Sequence, residues 1–344
     1  MTPDPNTINP LAIEAWMTTH VAGFSGPVTV RRFMGGQSNP TYRLGTPSHD
    51  YVLRRKPMGE LLPGAHRVDR EFRVLKALEN STVPIPKAYA YCDDLAVIGS
   101  AFYVMDCVAG RIFWDQLMPE VDDAARASSF DSMNGTIAAL HSIDPKAIGL
   151  DTFGHSENYL VRQIRRWSSQ YETYGGERVA AMEEIIDWLP QHMPPDGAPR
   201  IVHGDYKIDN IVFHAVESRV TGVLDWELAT IGDPLADFSY HAMAWYLEPD
   251  LFRGFAGALS RAPGIPAVAD YVAAYEHRTG ARLREHWRFY LVFSMFRLAG
   301  ILFGIAQRAK TGTAADPDAA RVGAQASPVS ERAWHIANTT ETLL

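Results

Sequence analysis

Cysteine is nearly missing: Cys92 and Cys107 are the whole complement of a 344-residue chain. They are too far apart for a CxxC element and too few for a disulfide framework or a thiolate cage, which excludes stapled secreted scaffolds and cysteine-built zinc modules. Positive charge is also in deficit. Lysine and arginine number 32 against 40 acidic residues, a formal charge of −8, so nucleic acid is not the expected partner, although a local basic patch stays open. No apolar run matches a bilayer. The most apolar stretch, LVFSMFRLAGILFGIA (291–306), is short and interrupted by Arg297, and reads as a buried core helix rather than a membrane span. The start, MTPDPNTINPLAIEAW, lacks a basic segment followed by an apolar one, so the expectation is a cytoplasmic chain without a secretory signal. Internal repeats and low-complexity segments are absent too.

What is present suits a folded, soluble chain of about two domains, with 47% hydrophobic and 21% charged residues. VTVRRFMGGQSNPTYRL and YVLRR alternate in polarity and are punctuated by Gly, Asn, Pro and Ser, the pattern of a small antiparallel sheet. HRVDREFRVLKALEN (66–80) spaces Val68, Phe72, Leu75 and Leu78 as one amphipathic helix on that sheet. AVIGSAFYVMDCVAG (96–110) reads as strand. From Asp122 onward helical patterns dominate, interrupted by two short apolar strands, RIVHGD and TGVLDWE. TGTAADPDAARVGAQASPVS (311–330) is rich in small and turn-forming residues and reads as a mobile loop before a short final helix.

The polar residues concentrate on those two strands. HGDYKIDNIVF (203–213) crowds a histidine, aspartates, a lysine and an asparagine into a loop, and GVLDWE ends a second apolar run in Asp225. Asp205, Asn210 and Asp225 form the set that phosphoryl transfer needs. One carboxylate orients and deprotonates a hydroxyl, while an amide oxygen and a second carboxylate hold magnesium on the phosphates.

HGDYKIDN with GVLDWE resembles the catalytic loop and metal-binding segment of protein kinases, in the HGDxxxxN form of aminoglycoside phosphotransferases and related small-molecule kinases. GGQSNPTYRL, YVLRRKP, LLPGAHRVDREFRVL and LDWELATIGDPLADFSY resemble the branch joined to acyl-CoA dehydrogenases. The likeness runs from about Val28 to Ala309. It implies an α+β, two-lobed protein-kinase-like fold: a small antiparallel-sheet lobe with one helix over 1–108, and a larger, mainly helical lobe over 109–344. It also implies ATP, with GTP as the alternative donor, Mg2+, a small hydroxylated acceptor, and a monomer or homodimer.

Residue by residue, the resemblance implies that Asp205 is the catalytic aspartate, that Lys207 stands near the transferring phosphate, and that Asn210 and Asp225 are the metal ligands. Gly35, Gly36, Ser38 and Asn39 fall at the nucleotide loop. Val52 and Arg54 share a strand face, with Arg54 where the family places a phosphate-contacting cation. Protein kinases and many antibiotic kinases use lysine there, and Lys56, on the same face, is the alternative cation. Glu71 matches the helix glutamate that pairs with that cation. Met105, the Asp106 carbonyl and the Val108 amide fall at the adenine. His203, Asp233, Asp237 and His141 read as braces or caps.

Three functions compete on these residues: a small-molecule kinase, a nucleotide-binding pseudokinase that regulates, and a metallophosphatase built on His203 and Asp205. The intact trio favours the first, the arginine at position 54 keeps the second open, and the third lacks further His and Asn ligands at metal spacing. The helix NYLVRQIRRWSSQYETY sets Arg162, Arg165 and Arg166 beside Trp167, Tyr171 and Tyr174, which suits an anionic or acyl-type acceptor or, equally, a solvated basic face over core aromatics.

Overall fold

Asparagine followed by proline opens the first helix. Asn9 accepts from the Leu11 amide at 3.0 Å with Pro10 next in the chain, and α1 spans Pro10–His20. The computed structural model describes residues 7–33, 39–58, 66–155, 157–314 and 316–344. It divides into two compact units, Met1–Gly110 with Thr221–Ala229, and Arg111–Val220 with Thr230–Leu344.

The first unit holds β1 (Thr29–Arg32), β2 (Thr41–Gly45), β3 (Asp50–Arg55), α2 (Val68–Leu78), β4 (Ala88–Cys92), α3 (Leu95–Ile98) and β5 (Phe102–Asp106). Its strands form one antiparallel sheet in the order β1-β2-β3-β5-β4. α3 corrects the expectation of strand from residue 96: Asp94 accepts from the Ala96 amide at 2.9 Å and starts a helical turn before the strand begins at Phe102.

Alternation divides the sheet's two faces. Tyr42, Leu44, Tyr51, Leu53, Phe102 and Val104 pack with Ile13, Trp16 and Met17 of α1, each fully buried apolar side chain contributing about 1.5–3 kcal/mol. The opposite face carries Val52, Arg54, Tyr103 and Met105, paired in register as Val52 with Met105 and Arg54 with Tyr103. α2 serves this second face through Glu71, while Phe72 is only half-buried, its ring 6.2 Å from that of Tyr103. The helix expected over 66–80 is therefore present, but its most buried polar group is a carboxyl, that of Glu71.

The second unit contains α4 (Asp123–Ser142), α5 (Tyr159–Glu172), α6 (Ala180–Gln191), β6 (Arg200–Val202) and β7 (Ile211–Phe213). β8 (Val220–Val223) then leads into the segment that belongs to the first unit. After it come β9 (Thr230–Gly232), α7 (Pro234–Ala242), α8 (Val268–Thr279), α9 (Trp287–Lys310), α10 (Ala319–Gly323) and α11 (Ala326–Asn338). β6 and β9 pair antiparallel, Arg200 opposite Gly232 and Val202 opposite Thr230.

α9 is the central helix of this unit, packed against α5, α6, α7, α10 and α11. It is longer than the apolar run that marked it. By length and composition it could cross a bilayer, yet 83% of its apolar window is buried, as expected of a helix that is hydrophobic all round. The expected loop over 311–330 is instead partly helical. Its small residues are packing residues: a Cβ on Gly323 would lie 2.6 Å from the Ala306 Cα. Gly323→Ala should therefore lower stability by about 1–3 kcal/mol through overpacking. The urea midpoint measures this, and an unchanged midpoint would contradict the close contact.

Candidate active site

The loop after β6 is organised by alternation. Tyr206 and Ile208 are each 1% exposed, and the Tyr206 hydroxyl donates to the Met133 carbonyl of α4 at 2.8 Å. Asp205 and Lys207, between and before these anchors, stay partly exposed. Asn210 closes a 3-10 turn over Ile208–Asn210, and its Nδ2 donates to the Asp205 carbonyl at 2.9 Å and to Asp205 Oδ2 at 3.0 Å. Lys207 Nζ lies 3.1 Å from Asp205 Oδ2 and 3.9 Å from Asp209 Oδ2. Burial works against that ammonium, but Asp205 and Asp209 outweigh it and hold Lys207 above its ordinary value.

A buried carboxylate sets the backbone of this loop. Asp237, 3% exposed on α7, accepts from the His203 amide at 2.7 Å and the Gly204 amide at 2.8 Å. Gly204 has φ +83°, a left-handed conformation that glycine adopts without strain. His141 Nε2 lies 3.2 Å from Asp237 Oδ2 and its Nδ1 2.8 Å from the Tyr275 hydroxyl, so the fitting tautomer donates to Asp237 and accepts from Tyr275. Burial would raise the Asp237 carboxyl, yet His141 and the His203 amide prevail and hold it below the ordinary carboxylate value. His203, fully buried, accepts from the Asp205 amide at 3.2 Å. Arg297 of α9 donates to the Gly204 carbonyl and sits 4.4 Å from the Tyr240 ring centroid. Asp233 accepts from the Leu235 amide at 2.8 Å as the cap of α7, and Tyr290 donates to it at 2.7 Å.

The first unit gathers a different set. Arg54 lies 2.9 Å from Glu71 through Nε, and Nη2 lies 2.6 Å from Asp225 Oδ1 and 3.5 Å from Glu227 Oε2. Burial opposes the guanidinium charge, and Glu71 and Asp225 more than offset it. Burial likewise pushes the Glu71 carboxyl up to about 7, against the pull of Arg54. Tyr103 donates to Glu71 at 2.9 Å, and Asn39 Nδ2 donates to its other oxygen at 2.7 Å. Asp225 holds φ +65°, a left-handed conformation uncommon for a residue with a side chain.

Asn39 is 3% exposed, and its amide donates to Glu71 and contacts His66. Gly35, Gly36 and Ser38 lie outside the described residues. Lys56 lies beyond the end of β3 and makes no ion pair among the described residues, whereas Arg54 takes the Glu71 partner. Val52 and Met105 are buried register partners on the Arg54 face. The Asp106 side chain is engaged by His49 and Tyr89, while the Val108 amide has no hydrogen-bond partner among the described residues. Of the aromatics set beside the arginines of α5, Trp167 and Tyr171 are core, Tyr171 packing on Phe303.

The phosphotransferase enzyme family matches residues 29–286. The chain belongs to this family. Mouse acyl-CoA dehydrogenase family member 10 is 40% identical over 315 residues, which cover 91% of this chain and 30% of that relative's length. A Ralstonia eutropha JMP134 protein provisionally classed as an aminoglycoside phosphotransferase is 47% identical, covering 98% of this chain and 100% of its own, with a TM-score of 0.89. A thermostable variant of aminoglycoside phosphotransferase APH(4)-Ia, solved with AMP-PNP and hygromycin B, shares the fold at TM-score 0.61 and 15% identity, over 93% of this chain and 98% of that one. The fold is kinase-like, and the branch is the one linked to acyl-CoA dehydrogenases. Because the chain spans less than a third of member 10, nothing about that whole protein's activity transfers directly.

In each unit taken by itself, one side chain offers an oxygen of a type that suits magnesium. With Asn210 Nδ2 spent on Asp205, its amide oxygen is left to accept a hard cation, and Asp225 keeps Oδ2 beyond the Arg54 contact. Magnesium is usually held by one or two protein oxygens plus substrate phosphates rather than by an all-protein cage. Sequence reasoning missed Tyr103, Glu227 and the role of Arg297. A lone arginine inside an apolar helix was the legible sign of the last.

Asp237→Ala should remove about 3–5 kcal/mol of stability, because it strands two backbone amides and His141. Since the folded carboxyl lies below its ordinary value, its share of the stability is present above the ordinary carboxylate range and is lost as pH falls through the folded value. Denaturant melts across that acid range measure both. Equal stability of wild type and variant would contradict the brace.

Proposed function

We propose that the chain transfers the terminal phosphate of ATP, with magnesium, to a hydroxyl of a small molecule. The observation that carries this reading is Asp205, held on a loop fixed by Asp237, with Lys207 and Asn210 on its carboxylate. Asp205 orients the acceptor hydroxyl and takes its proton as the alcohol oxygen bonds to the γ-phosphorus. The bond from that phosphorus to its bridging oxygen breaks, and ADP leaves with the electron pair. Magnesium, when bound, neutralises the phosphate charge, and Asn210 and Asp225 are the residues suited to hold it. Arg54 is the cation for the nucleotide phosphates, fixed by Glu71. GTP is the alternative donor.

One contact favours a second reading, a weakly catalytic nucleotide-binding regulator: Arg54 occupies an oxygen of Asp225, a carboxylate that magnesium needs. Label transfer separates the two. Arg162 and Arg165, with Glu157, line a groove of about 750 Å³ beside α5, and carboxylate-bearing and acyl-type alcohols belong in the acceptor panel with sugars, amino alcohols and aminoglycosides.

With γ-labelled ATP, label should pass to at least one of these alcohols. Asp205→Ala should slow that transfer about a hundred- to ten-thousandfold with nucleotide affinity little changed. Transfer that survives the substitution overturns the assignment, and no transfer to any alcohol with tight ATP binding favours the regulator. Arg54→Ala should weaken ATP binding by about tenfold to a hundredfold, read by calorimetry. An unchanged affinity would pass the role to Lys56.

A further inference from the structure

Phe252 and Arg253 both hold left-handed backbone, with φ +53° and +57°. Such conformations persist in residues with side chains where the surroundings enforce them. The enforcement is visible. The Gly254 amide donates to the Glu248 carbonyl at 3.1 Å, the Phe252 amide to Gln325 Oε1 at 2.8 Å, and Gln116 Nε2 to the Arg253 carbonyl at 2.7 Å. The result is a guanidinium aimed at the catalytic loop. Arg253 Nη1 donates to the Trp114 carbonyl at 2.9 Å, and Nη2 to Asp209 Oδ2 at 2.9 Å.

Asp209 needs that cation. Its side chain is 12% exposed, and its other oxygen, Oδ1, is buried without a hydrogen-bond partner among the described residues. Among the described residues, the other cation paired with it is Lys207, at 3.9 Å. Lys207 thus faces two carboxylates and stands nearer Asp205, at 3.1 Å. A bare Asp209 in this half-desolvated place would compete for the ammonium, because an unpaired buried charge gains more from a partner than a solvated one does.

We infer that Arg253 is a positioning residue: by neutralising Asp209 it leaves Lys207 committed to Asp205. Its kinetic consequence rests on the phosphotransfer reading; the location of the ammonium does not.

The test is a rescue. Arg253→Met should lower kcat about tenfold to a hundredfold, since small misplacements of a catalytic group have effects of this size, with the KM for ATP within about twofold. Adding Asp209→Asn to Arg253→Met should restore most of the lost kcat, because the competing carboxylate is gone. Arg253→Lys should fall between wild type and Arg253→Met, as a point charge replaces a fork. A crystal structure of Arg253→Met should show Lys207 Nζ closer to Asp209 than to Asp205. Arg253→Gln, which keeps a donor for the Trp114 carbonyl without the charge, serves if the methionine variant does not fold. A double variant as slow as the single one, or an ammonium still on Asp205, overturns the inference. If wild type transfers phosphate to no acceptor, the functional reading fails alone, and the position of Lys207 still decides this one.

Discussion

A carboxylate taken out of water must be repaid in hydrogen bonds, and Asp237 finds them on the backbone of the loop that carries Asp205. Two adjacent amides, those of His203 and Gly204, point at its oxygens, and His141, itself held by Tyr275, supplies a third donor. Hydrogen bonds to a charged acceptor are about twice as strong as neutral ones. The chain direction at residues 203 and 204 is thereby set, and with it the exit of Asp205. Two inward anchors, Tyr206 and Ile208, then leave Asp205 and Lys207 partly exposed.

The first unit solves a related problem with the opposite charge. Arg54 leaves a strand face between Val52 and the end of β3, and its burial is tolerated because Glu71 and Asp225 both reach it. Glu71 is in turn fixed by Tyr103 and Asn39, so three polar side chains stand behind one guanidinium. A planar fork suits this better than a lysine, whose ammonium could not address two carboxylates from one rigid plane. The arginine at position 54 is therefore a coherent part of the unit rather than a damaged lysine.

Much of this was legible in the sequence because local pattern and tertiary role coincide there. HGDYKIDN alternates inward and outward residues, GDPLAD places a cap and a brace at fixed distances, and YVLRR obeys the two-residue period of a sheet. Where the two diverge, the pattern was silent. α1 lacks a clean apolar stripe and was not anticipated. Residues 311–330 looked like a loop because small residues signal turns, yet from Ala319 onward they let helices approach closely, as Gly323 does against Ala306. Asn39 sat at the right place for a phosphate contact, but no local rule reveals that a buried glutamate from a distant helix would claim its amide. Arg253 lies far along the chain from Asp209 and within an irregular loop, where periodicity carries no information.

The loop that carries Asp205 is held in place by Asp237 before any ligand arrives. Native-state hydrogen exchange at the His203 and Gly204 amides addresses it directly, since each should exchange only when the second unit unfolds, with the same dependence on denaturant as the amides of α9. Exchange at those two amides through small, denaturant-independent openings, while α9 stays protected, would contradict it.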